Sequence, residues 1–183
     1  MKKILLILAI AFWTNSVQSQ EAIPLSFTGI EQLDSSVTSE QVFDRAKRWL
    51  ADAFVSSKAV TEIADKNNGE IVGNGNFDLN FIFMGGASIG KGAVTFKIRI
   101  WVKDHRYKYE FSDFTHKSYD TNYPSYGLVT NNPEEPGVSW PTVGKTWKNK
   151  YWRDLQHDSH VKAKNLIESM KIFMQKKTEN TDW

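Results

Sequence analysis

Four histidines, one glycine-rich run and one pair of adjacent glutamates are the groups in this chain whose types and spacing could do chemistry. Gly86-Ala87-Ser88-Ile89-Gly90 fits G-x-S-x-G, the turn that lifts a nucleophilic serine above a sheet. That turn works only between a strand and a helix, with a histidine in reach. Here an alternating strand follows Gly92, so the motif predicts a hairpin loop. Gly85 to Lys91 also fits G-x4-G-K, but Gly92 stands where a phosphate loop needs Ser or Thr, and no helix follows to face a phosphate. His157 and His160 lie three apart on a predicted helix near Asp154 and Asp158, which puts two imidazoles on one face. No third fixed ligand accompanies them, so a solvated helix surface is the expectation and no metal is assigned. His116 with Asp113 and Asp120 could form an acid–base group, against the plainer reading of a polar strand end. Glu134-Glu135 have no fixed separation in a loop and carry no glycosidase signal. No catalytic residue is therefore assigned. A small exported hydrolase using Ser88 or His116 is kept as the alternative.

The elements that must position any site begin after an address. Lys2 and Lys3, an apolar run from Ile4 to Trp13, and small residues at Val17 and Ser19 predict a secretory signal peptide over residues 1–19, cleaved after Ser19. The run is too short to span a bilayer, which takes about 20 apolar residues. The expected mature chain, residues 20–183, is a single α+β domain with no transmembrane segment. Loss of Lys2 and Lys3 leaves 21 basic against 21 acidic residues, and a neutral exported protein is a poor partner for nucleic acid. Cysteine is absent, so no disulfide supports the fold and a core must. The chain is 40% hydrophobic and 24% charged, proportions of a globular domain.

A short extended piece is predicted at Ile23–Thr28. Thr38 and Gln41 form a capping box before Val42, Phe43, Ala46, Trp49, Leu50 and Phe54, which recur at helical spacing. Strands are predicted at 60–65, 70–83, 93–103 and 106–115, the middle two alternating apolar with polar residues. Gly73 and Gly75 suggest a bend or bulge near the start of the 70–83 strand. If Asp104-His105 is a two-residue turn, Lys103 opposes Arg106, Trp101 opposes Lys108 and Arg99 opposes Glu110. A final helix is predicted at 146–175, interrupted near Asp158-Ser159, with Val161, Leu166, Ile167, Met170 and Phe173 as its stripe. The order β-α-β-β-β-β-α predicts an antiparallel sheet of four to five strands with both helices on its apolar face.

Two surfaces remain for binding. The Pro-rich stretch 117–145 carries Tyr119, Tyr123, Tyr126 and Trp140, rings that could stack on a sugar or hold a peptide, or else cap the core. The polar sheet face carries Lys97, Arg99, Trp101 and Lys108 and reads as locally basic, suited to an anionic glycan, a peptide or another envelope protein.

The run Phe43 to Leu50, the segment Asp65-Lys66 with Gly69 to Gly75, and Val102-Lys103-Asp104 with Arg106 to Tyr109 resemble a family of uncharacterised exported bacterial proteins. These are described as a domain of unknown function with a TATA-binding-protein-like fold. The resemblance spans about residues 24–175, and the chain departs from it with Asp104-His105 where the family favours Asp-Gly. It implies the fold derived above and no activity, cofactor or site residue, and fold alone does not carry function. The expectation is an exported, non-catalytic binding or structural module of the cell envelope, periplasmic or secreted.

Overall fold

A computed structural model of the chain describes residues 22–54, 60–82 and 88–176. The predicted leader and its cleavage point lie outside the described residues. The elements are β1 (Phe27–Gln32), α1 (Ser39–Ala53), β2 (Val60–Asp65), β3 (Glu70–Ile82), β4 (Ser88–Lys103), β5 (Arg106–Ser118), β6 (Gly127–Leu128) and α2 (Lys145–Gln175). The strands form one antiparallel sheet in the order β1-β5-β4-β3-β2, with the short β6 added on β5. The α+β class and the antiparallel sheet with two helices stand as expected. The first strand starts four residues later than predicted, because the stretch around Pro24 makes only an isolated bridge to Thr130.

The β4–β5 hairpin has the register derived from its turn: Lys103↔Arg106, Trp101↔Lys108 and Arg99↔Glu110. His105 sits at φ 61°, a conformation that glycine adopts freely. Its ring Nδ1 donates to the Val37 carbonyl at 2.9 Å, a bond glycine could not make. Beside it, Asp104 Oδ1 accepts the first helical N–H of α1, from Ser39, at 2.7 Å. The turn thus holds the start of α1, which also carries the Thr38–Gln41 capping box. His105→Ala should cost about 1–2 kcal/mol, since it keeps the strained φ and loses the bond. His105→Gly should cost less, because it relieves the strain. Urea denaturation ranks the two, and equal losses would mean the ring bond and not the backbone carries the effect.

One face of the sheet is the core. Ile71, Val94, Phe96, Ile98, Ile100, Tyr107, Tyr109 and Phe111 point into it, under α1 and α2. Gly73 and Gly75 do not make a bulge. The shift is in β2 between Thr61 and Ile63, opposite Gly73. The two glycines instead make room for bulky neighbours: a β-carbon on Gly73 would stand 2.9 Å from Leu50 of α1, and one on Gly75 would run into the Phe96 ring of β4 and meet Phe54 at the end of α1.

α2 runs unbroken through Asp158-Ser159. Its buried stripe is Tyr151, Trp152, Leu155, Ser159, Ala163, Ile167, Met170 and Met174, at spacings of three and four. Ser159, read as a break, is a small residue on that stripe. Val161 is exposed, so the predicted stripe was out of phase at its start. Arg45 of α1 reaches the end of α2, where Nη1 donates to the Met174 carbonyl at 2.8 Å. A cation at a helix C-terminus meets the negative end of its dipole. No helix among the described residues is long and apolar enough to cross a membrane.

Candidate functional site

The site candidates divide by which side of the sheet they occupy, and a single residue sets the division. β5 alternates from Tyr107 to Phe111, then Asp113 adopts φ 59° and the pairing with β4 shifts between Thr95 and Lys97. This bulge reverses the phase of the strand. Phe114 and His116, which strict alternation would place outward, both turn into the core. Asp113 stays outside, within 3.7 Å of Arg99. The acid–base group imagined from His116, Asp113 and Asp120 is therefore not assembled. Asp120 is spent locally, accepting from Asn122.

His116 is 1% exposed. Its Nδ1 accepts the backbone N–H of Tyr126 at 3.1 Å, so in the neutral ring Nε2 carries the proton. Nε2 finds no partner among the described residues. The rings of Tyr126 and Tyr151 flank it, and burial pushes its pKa down to about 4. A histidine so enclosed is neutral and has no access to a substrate. Ser88 opens strand β4, so a strand and not a helix follows the glycine-rich motif. The first two residues of that motif, Gly86 and Ala87, lie outside the described residues. His160 packs on Phe27 at 5.0 Å, and no group of three or more metal-binding side chains occurs among the described residues.

The stretch 117–145 is packed against α2. Trp152 Nε1 donates to the Asn132 carbonyl at 2.7 Å, and Gln156 Nε2 donates to the carbonyls of Thr130 and Asn132. Lys148 Nζ reaches the Val138 carbonyl, and Asn149 Oδ1 accepts the N–H of Glu135. Tyr126 and Trp140 are buried; Tyr126 stacks on Tyr151 and Trp152, and Trp140 meets Tyr151 edge-on. Tyr123 is half-buried against Trp140. Tyr119 alone of the four is well exposed, and its hydroxyl donates to Asp78 on the opposite face of the sheet. Three of the four aromatic candidates thus line the core.

The four sheet-face candidates come together. Lys97, Arg99 and Trp101 lie on β4 and Lys108 beside them on β5, on the face that neither helix covers. Each is paired. Arg99 Nη1 contacts Glu110 Oε1 at 2.6 Å and Ser112 Oγ at 3.0 Å. Trp101 Nε1 donates to Glu70 Oε1 at 3.0 Å, and the Lys108 ammonium sits 5.0 Å from the Trp101 ring centre. Lys97 approaches Glu62 at 3.9 Å, and Asn74 donates to the same carboxylate. Sequence reading missed Glu62, Asp65 and Glu70 as members of this face, and the impression of a basic surface came from leaving β2 out. With β2 in place the face is mixed: Lys97, Arg99 and Lys103 on β4, acidic residues on β2 and β3, and both signs on β5, where Lys108 shares the strand with Glu110 and Asp113. Pairing β2 back through the 66–69 turn was the available signal, and the shift near Glu62 obscured it.

Residues 32–117 match a family model described as a domain of unknown function (DUF4468) with TBP-like fold. The resemblance read from the α1 and hairpin segments holds over that stretch. A solved structure of a DUF4468 family protein from Bacteroides ovatus ATCC 8483 is similar at TM-score 0.60 and 13% identity, covering 86% of this chain and 90% of that one. A TBP-like protein from Parabacteroides distasonis ATCC 8503 is similar at TM-score 0.54 and 16% identity, covering 81% of this chain and 93% of that one. Identities this low speak for the fold. No curated protein matches the chain.

Proposed function

We propose that this protein is an exported, non-catalytic module of the bacterial cell envelope that holds a protein partner against the open face of its sheet. One observation carries the reading. Trp101 stands on the central strand of that face, near its hairpin end, fixed by Glu70 and Lys108, and no described element lies over it. A held aromatic ring ringed by paired charges is the make-up of an interface centre. A glycan of one charge sign is the poorer fit, because Lys97, Arg99 and Lys108 each already have an anionic or aromatic neighbour. A protein surface can match both signs at once. The hydrolase alternative has nothing to build on, with His116 enclosed and Ser88 leading into a strand.

The test is photo-crosslinking in cells, from a reactive aromatic residue placed at Thr95 or Lys108 on the open face. A control is placed at Asp44, exposed on α1. Adducts of defined mass from the face and none from Asp44 are expected. Absence of adducts from both face positions would overturn the reading. Fractionation of the same cells tests the export half: a mature N-terminus at Gln20 outside the cytoplasm is expected.

A further inference from the structure

We infer that the partner on this face is a second copy of the same chain, related by a two-fold axis parallel to the strands. The inference rests on the binding reading above and goes further by naming the occupant. One row of side chains crosses all five long strands of the open face: Ile30, Lys108, Trp101, Glu70, Asp65. Its charge pattern is asymmetric, with the cation on one side of Trp101 and the anions on the other. When two such faces meet, an axis along the strands lays β5 on the partner's β3 and β4 on the partner's β4. Lys108 then lies over the partner's Glu70, and the reciprocal pair forms by symmetry. Glu70 spends Oε1 on Trp101, which leaves Oε2 for that lysine. The two Trp101 rings meet near the axis. An axis across the strands would lay β5 and β3 on their own copies as well as β4, whereas the axis along the strands leaves only β4 on its copy, so charge favours the first arrangement.

A second observation agrees independently. The open face has exposed isoleucines at its two opposite edges, Ile30 on β1 and Ile63 on β2, 63% and 47% exposed. The axis that matches the charges also lays β1 over the partner's β2. Ile30 then falls one row from the partner's Ile63, and both lose water. The area suffices. Strands β3, β4 and β5 are 13, 16 and 13 residues long. At about 3.3 Å per residue and about 4.8 Å between strands, they and the edge strands present roughly 800 Å². A standard interface buries about that much on each partner.

The experiment is sedimentation of the purified protein over a range of concentrations at low salt, with K108E and E70K, alone and mixed. Each reversal sets like charges face to face in its own dimer and should weaken self-association about tenfold or more. In an equimolar mixture, both contacts between K108E and E70K are again of opposite sign. The mixture should associate within about threefold of the unaltered protein. Restoration only in the mixture is the supporting result, and it cannot arise from misfolding of either variant. A monomer at all concentrations overturns the inference, as does a dimer that neither reversal weakens. Face crosslinks to a different protein, with the purified chain monomeric, would leave the binding reading standing and remove this one.

Discussion

Replacing Trp152 with alanine is expected to remove about 3–5 kcal/mol of stability, the usual loss when a buried tryptophan is emptied from a core. Trp152 is 1% exposed and joins three things. It belongs to the buried stripe of α2, it stacks on Tyr126 at 5.7 Å, and its Nε1 holds the Asn132 carbonyl. Gln156 donates to the same carbonyl, so the variant leaves no orphaned acceptor there and the cost is mainly lost packing. The damage should spread along the ring contacts from Tyr126 through Tyr151 to Trp140 and Tyr123. Hydrogen exchange should therefore quicken first between residues 123 and 140. A loss below about 2 kcal/mol, with protection there unchanged, would show that the stretch is held by its backbone bonds and not by the aromatic stack.

Acid should weaken the fold through His116 by about 3 kcal/mol as the pH falls from about 6.5 to about 4. The sign follows from burial. The folded protein holds this imidazole neutral, with its pKa pushed down to about 4, while the unfolded chain takes up the proton near the ordinary 6.5. Between those values the unfolded state binds more protons, so stability drops as pH falls. Below about 4 both states are protonated and this contribution falls no further. Exposed carboxylates also respond to acid. Glu40 is held below its usual range by Lys66, Asp65 by the Asn68 amide and Asp104 by the Ser39 amide. Their effects come on at lower pH and are shared by a variant lacking the imidazole. His116→Gln keeps an acceptor for the Tyr126 N–H and cannot be charged. Urea denaturation at pH 7, 5.5 and 4 should give a steeper fall for the unaltered protein than for His116→Gln. Parallel curves would mean that the ring accommodates its proton inside the folded state.

The legible parts of this fold were those set by local rules. Alternation located β3 to β5, the capping box located α1, and a two-residue turn was enough to derive the hairpin register residue by residue. What failed depends on single backbone events or on distant partners. The bulge at Asp113 moved His116 from a polar strand end to the core, and nothing in the alternation announces a non-glycine residue at positive φ. The interruption expected in α2 was an error of the same kind, since Ser159 is acceptable to a helix whose neighbour lies close. The site was half legible. Lys97, Arg99, Trp101 and Lys108 were identified as one face from β4 and β5 alone. Glu110, the counterpart of Arg99, came with the hairpin register, but Glu62 and Glu70 on β2 and β3 needed sheet order, which local patterns do not contain. The aromatic stretch misled because rings on a Pro-rich segment look the same in sequence whether they face solvent or cap a core. The outcome was set by Tyr151 and Trp152, which supply the other side of the stack.

The pairing of β1 with β5 has a consequence for how fast the molecule can assemble. Strands β2 to β5 are joined as successive antiparallel neighbours, and two of their connections are tight turns. β1 pairs instead with a strand far along the chain, Phe27 meeting Phe111. The equilibrium cost of closing so long a loop is modest, since each doubling of length adds only about 0.6 kcal/mol. The kinetic cost is larger, because rates fall as contacts become more distant in sequence. The meander can zip from its own turns, whereas β1 must wait for β5 to exist as a strand. Until then β5 is an unprotected edge, and the interval before β1 arrives is when a freshly made chain is most open to pairing with the wrong neighbour.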